Sequence, residues 1–102
     1  MTIHAGENML AGADTPVIYN LTLTIANTEY SQTLPNNVRK LAVRLRNNAQ
    51  SAKMAFASGT SGTAYITIDN LVPYDDMIGV ATLVLYFQSP DAGAVMEITA
   101  WS

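Results

Sequence analysis

From Pro16 onward the chain repeats one pattern: short runs in which apolar and polar residues alternate, separated by stretches rich in Gly, Pro, Asn or Ser. In AVMEITAW, residues 94–101, Met96, Ile98 and Ala100 share one side, and Val95, Glu97, Thr99 and Trp101 share the other. A period of two belongs to extended strand, whose successive side chains point to opposite faces. A chain made of such runs buries its apolar half by pairing strands into sheets and stacking the sheets.

The same alternation places the other strands. In VIYNLTLTI, Val17, Tyr19, Leu21, Leu23 and Ile25 face one side while Asn20, Thr22 and Thr24 face the other. After Asn27, residues 28–34 form a second strand that Pro35, Asn36 and Asn37 stop. In VRKLAVRLR, residues 38–46, Leu41, Val43 and Leu45 point inward, and Lys40, Ala42, Arg44 and Arg46 point outward. A helix over 38–46 is the alternative there, since Val38, Leu41 and Leu45 also fit a period of 3.6. Residues 53–57 predict a short strand with Met54 and Phe56 inward, followed by a loop, SGTSG, that is flexible by composition, and by a strand over 63–68. Residues 69–76, containing Pro73, read as irregular. VATLVLYFQ, residues 80–88, is apolar on both faces, so it is central in its sheet or covered by a partner.

The expected fold is all-β: an antiparallel β-sandwich or jelly roll of seven to eight short strands, residues 16–102, with an irregular N-terminal arm over residues 1–15. At 102 residues the chain forms one such domain and not two.

Composition narrows the function. Charged residues are only 13% of the chain against 49% apolar, so 11 Thr, 8 Asn, 6 Ser and 3 Gln supply the polar surface. With no Cys there is no disulfide, thiolate metal site or cysteine nucleophile. No apolar run reaches the roughly 18 residues of a membrane span, and residues 1–15 hold Glu7 and Asp14 without Lys or Arg, unlike a secretion signal. The net charge of -3 argues against nucleic acid as partner. All five cations, Arg39, Lys40, Arg44, Arg46 and Lys53, nonetheless fall within residues 39–53, which hold no Asp or Glu. This gathers positive charge that suits an acidic protein surface or simply solvent.

Catalytic groups are sparse. His4 is the sole histidine and lies in the arm, so a Ser-His-Asp relay would have to recruit it, and no Ser stands in a nucleophile elbow. Asp75 and Asp76 are neighbours whose side chains diverge on extended backbone; with Asp69 they suggest a calcium loop only weakly, because the D-x-[DN]-x-[DN]-G spacing is absent. Gly59 and Gly62 are turn residues, not a phosphate loop, because no Lys follows them as in a P-loop. Asn20-Leu21-Thr22 matches a glycosylation sequon inside a predicted strand. These features predict no enzyme, cofactor or metal site. Trp101 packs in the core or anchors an interface, and Tyr65, Tyr74, Tyr86 and Trp101 could form a sugar-binding platform.

The series TAYITI, then Pro-Tyr-Asp-Asp, then ATLVLYFQSPDAGAVMEITAW resembles small structural proteins of tailed-bacteriophage virions, and LTLTIANTEYSQTLP followed by VRKLAVRLRN extends the likeness over residues 17–101. LYFQSP and EITAW are its distinctive strings. The resemblance implies a capsid decoration or cement protein, made in the host cytoplasm, that binds the major capsid protein or another virion protein at the capsid surface. It implies a homo-oligomer, a trimer being favoured, with no membrane, nucleic-acid or cofactor partner. A head-to-tail connector or tail component is the alternative, and a carbohydrate-binding module a further one. Partner-binding candidates are Ile3, Met9 and Leu10 in the arm, the basic residues Arg39, Lys40, Arg44 and Arg46, and Tyr74 and Trp101.

Overall fold

A computed structural model describes residues 15–47, 49–69 and 74–102, and among these residues there is no helix. Eight strands follow one another: β1 (Val17–Leu23), β2 (Tyr30–Thr33), β3 (Val38–Leu45), β4 (Ser51–Ala55), β5 (Ile66–Asp69), β6 (Tyr74–Val80), β7 (Val84–Gln88) and β8 (Ala94–Trp101). They form two four-stranded sheets, ordered β1-β8-β3-β6 and β2-β7-β4-β5, with every pairing antiparallel. First pairs with last, second with seventh, third with sixth and fourth with fifth: the chain is one long hairpin rolled up so that its strands divide between two sheets. That is the jelly-roll order of an all-β sandwich.

The period-two runs explain the core. Leu23, Leu41, Val43, Leu45, Met96 and Ile98 of one sheet meet Met54, Ile68, Leu85 and Phe87 of the other in a single buried cluster. β8 alternates buried and half-buried residues along its whole length, and Tyr19, Leu21, Tyr30, Tyr74 and Leu83 close the rim. Left-handed backbone serves several turns, among them Asn37 (φ 60°) before β3 and Gly93 (φ 81°) before β8, where the Gly93 N–H donates to the Leu23 carbonyl at 2.8 Å.

Several sequence expectations need correction. β1 stops at Leu23, leaving Ile25 61% exposed with its N–H donating to the Tyr30 hydroxyl at 3.0 Å. Phe56 lies beyond β4 and is 44% exposed, its ring edge-on to Tyr74 with centroids 6.2 Å apart. The run from residue 38 is the strand its alternation predicts, over Val38–Leu45, and not the alternative helix; Val38 is buried out of phase with Leu41, Val43 and Leu45, at the point where the register with β6 shifts and Ile78 and Gly79 stand against Arg39 alone. Residues 74–76, expected to be irregular, begin β6. The run 80–88 is divided: Val80 ends β6, and β7, which starts at Val84, is central between β2 and β4, so its doubly apolar character is met within the chain.

The loop after β4 is tied down despite its composition. The Glu29 carboxylate accepts bonds from the Gly59 N–H (2.8 Å), the Ser61 N–H (3.2 Å) and the Ser61 hydroxyl (2.6 Å), and Gln88 Nε2 donates to the same hydroxyl at 3.0 Å. Ser61 is buried, and so is Ala55, although its place opposite Tyr86 puts it on the outward side of the sheet. The loop thus roofs part of the outer face of the β2-β7-β4-β5 sheet.

Candidate functional site

Among the described residues no loop covers the outer face of the other sheet, and strand register lays that face out in rows. Asn20, Glu97 and Arg44 stand side by side across β1, β8 and β3. In the next row are Ile18, Thr99, Ala42 and, on β6, Asp75; beyond it are Trp101 and Lys40. The middle row has short side chains at its centre, because Thr99 and Ala42 are flanked by longer neighbours. The result is a hollow of ≈ 400 Å³ lined by both inner rows together with Val43 and Tyr74. Crossing four strands, it is about 14 Å long at the usual spacing of about 4.8 Å between strands.

Ile18 stands at one end of the hollow, 66% exposed. Asp75 marks the other end. One wall is polar and mutually braced: Arg44 Nε lies 3.4 Å and Arg46 Nε 3.0 Å from the Glu97 carboxylate, and Arg46 donates to the Asn20 side-chain oxygen at 3.1 Å. These pairs are partly solvated, so each contributes no more than about 1 kcal/mol to stability; their effect is to hold the guanidinium groups over the sheet. In the outermost row the Lys40 ammonium sits 5.1 Å from the centre of the Trp101 ring, a cation–π pair. At the β6 edge the Tyr74 hydroxyl donates to Asp76 at 3.2 Å. Burial, and then the charge of Asp76, push that phenol above its ordinary value of 10.0, so it stays protonated and a donor.

The sequence candidates divide unevenly. Lys40, Arg44, Arg46 and Trp101 come together on the open face, whereas Tyr74, opposite Val43, packs on the core side of the sheet and only borders the hollow. Trp101 is half-buried on the outer side of β8, not in the core. Arg39 does not join them: it sits at the bulge, lining a separate hollow with Asn37, Val38, Gly79 and Ala81. Ile3, Met9 and Leu10, like His4, lie outside the described residues. A four-aromatic platform does not form, because Tyr86 belongs to the other sheet and Tyr65 precedes β5, under the Lys53 ammonium at 4.8 Å. Asp75 and Asp76 lie opposite Ala42 and Leu41, hence on opposite sides of the sheet, and among the described residues no three acidic or histidine side chains are placed to hold a metal.

Sequence reasoning missed Ile18, Asn20, Ala42, Asp75, Glu97 and Thr99 as site residues. Only Ile18 carried a local signal, an apolar residue in the polar phase of β1; the rest acquire a role through cross-strand register. Chemically the face offers donors, acceptors and an apolar floor at fixed positions, an arrangement for binding. No protein-family profile, curated protein or solved structure matches the chain.

Proposed function

We propose that this protein is a non-enzymatic structural component of a tailed-bacteriophage virion that binds the assembled capsid shell through the open face of the β1-β8-β3-β6 sheet and stabilises it. The observation that carries the reading is the asymmetry between the sheets: one outer face is partly roofed by its own loop, while the other presents Ile18, Trp101 and a small-residue hollow. An aromatic anchor beside a framed apolar depression is what a specific protein contact requires. The jelly roll is a recurrent architecture of viral capsid domains, and the strings LYFQSP and EITAW resemble virion proteins of this size.

Binding acts by mass action. A protein that binds only the assembled shell stabilises it by RT ln(1 + [L]/Kd) at each site, and the contributions of many sites add. Glu97 and Asp75 offset two of the three cations on the face, so shape and apolar contact select the partner more than attraction to an acidic capsid patch does. The arm, through Ile3, Met9 and Leu10, adds a second contact on a neighbouring subunit.

The test is co-sedimentation of the purified chain with capsid shells assembled without it. Saturable binding at a fixed ratio per capsomer, with a raised shell melting temperature, supports the reading; failure of the folded protein to bind overturns it. Ring formation, or saturation at a few copies per particle, indicates a neck or tail component. The hollow's polar wall also suits a sugar, and a glycan that changes Trp101 fluorescence would favour a carbohydrate-binding module.

A further inference from the structure

The two sheets have four edges, and three of them are defended against pairing with another chain. β2 and β5 are four residues each, and β5 ends on Asp69. β6 carries Asp75 and Asp76, and its register with β3 is broken at Ile78 and Gly79. Among the described residues, β1 has none of these devices. It is seven residues long, VIYNLTL, without charge, Pro or Gly, and its register with β8 runs unbroken from Val17 to Leu23.

We propose that β1 is a self-pairing edge, through which two copies of this chain join antiparallel about a two-fold axis at Asn20 to make one continuous eight-stranded sheet. The direction of the backbone groups sets this register. The Arg46 N–H donates to the Val95 carbonyl, so Val95, Glu97 and Thr99 use their backbone groups toward β3. Met96, Ile98 and Ala100 therefore turn theirs toward β1, where they meet Leu21, Tyr19 and Val17, and at the strand end the Leu23 carbonyl accepts from the Gly93 N–H. Ile18, Asn20 and Thr22 are left with N–H and C=O groups pointing away from the sheet. Antiparallel pairing centred on Asn20 sets Ile18 against Thr22 of the second copy and Asn20 against itself, so every one of these groups finds a partner.

The side chains agree with that register. Residues on the core side meet residues on the core side, Tyr19 against Leu21 of the second copy, which closes a rim that is only half-buried in one chain. β1 itself carries no charge, and the cation that reaches it, Arg46 on the Asn20 side chain, is paired with Glu97 of its own chain, so the two copies do not set bare like charges against each other. The contact is isologous and closes at two chains, unlike the head-to-tail contact a trimer requires. It rests on the β1 edge alone and stands whether or not the protein binds a capsid.

Sedimentation velocity on the full chain, from micromolar to millimolar concentration, tests it. The expected result is a concentration-dependent dimer. Thr22→Pro removes one edge-facing N–H while sparing every bond to β8, and is expected to give a monomer with an unchanged circular dichroism spectrum. Should that variant fail to fold, a charge pair decides. Asn20→Lys and Asn20→Asp each place like charges across the axis and weaken the dimer by up to about fivefold, whereas an equimolar mixture of the two recovers it. A monomer at all concentrations overturns the proposal, as does a folded Thr22→Pro protein that remains dimeric, a mixture that behaves like its components, or a mass of three chains.

Discussion

Glu29 illustrates how much one side chain can do that its sequence context does not announce. Half-buried just before β2, it accepts three hydrogen bonds from a loop thirty residues away and converts SGTSG from a flexible linker into a roof. The Ser61 hydroxyl, followed by the Gly59 N–H, holds its carboxyl below the ordinary value of 4.5. An acid with a depressed pKa stabilises the fold while ionised, so this contribution is complete above pH 4.5 and is lost as the pH falls through the lowered folded-state value. Glu29→Gln is therefore expected to cost about 1 kcal/mol at neutral pH, with the gap to the parent narrowing in acid. Melting temperatures of both proteins from neutral pH down to acid check this; a gap that stays constant would show that the charge is irrelevant. Ser and Gly in a loop specify mobility only until a distant acceptor is considered.

At the scale of the strand, the sequence was most legible where one face meets the core and the other meets solvent or small residues. β8 matches its alternation residue for residue, and β3 does so from Lys40 onward. Boundaries failed where a local signal had two physical sources. Ile25 and Phe56 continue the inward phase of their strands, yet the strands end before them and both side chains are exposed. Val38 gives the start of β3 a helix-like spacing, and it sits where the register with the neighbouring strand shifts. β7 carries the opposite case, since apolar residues on both faces signal either a central strand or an interface, and the sheet order shows it to be central. Its Phe87 is the largest fully buried side chain, facing Met54 on one side and Tyr30 on the other. Phe87→Ala is expected to lower the unfolding free energy by about 3–5 kcal/mol, measured by urea titration, and a loss below about 1 kcal/mol would mean that the two sheets are not packed as described.

For the whole molecule, the division of labour between the sheets matters most. The β2-β7-β4-β5 sheet carries its own roof, and the β1-β8-β3-β6 sheet carries the hollow, its braced guanidinium groups and the Lys40–Trp101 pair. Trp101 belongs to the outer face, so its removal should separate binding from folding. Trp101→Ala is expected to cost about 1 kcal/mol of stability through lost stacking and partial burial while reducing shell binding at least tenfold. Co-sedimentation and thermal melting of the same preparation measure both; parallel loss of the two would return Trp101 to a structural role.

The sequence by itself determined the strand content, the inward and outward phases of β1, β3 and β8, the scarcity of acid–base groups, and the gathering of cations between residues 39 and 53. These are local properties, set by side-chain alternation and by residue identity, and they hold whichever strands become neighbours. Tertiary structure decided the rest. Only the sheet order brings Glu97 between Arg44 and Arg46, turning a basic run into a partly neutralised wall. Only register puts Ala42 beside Thr99 to hollow the face, and only position in the sheet leaves β1, among strands of similar polarity, without a described strand on one side. Pairing between distant strands depends on how the hairpin rolls, which is a choice among global packings that alternation along a single strand does not encode.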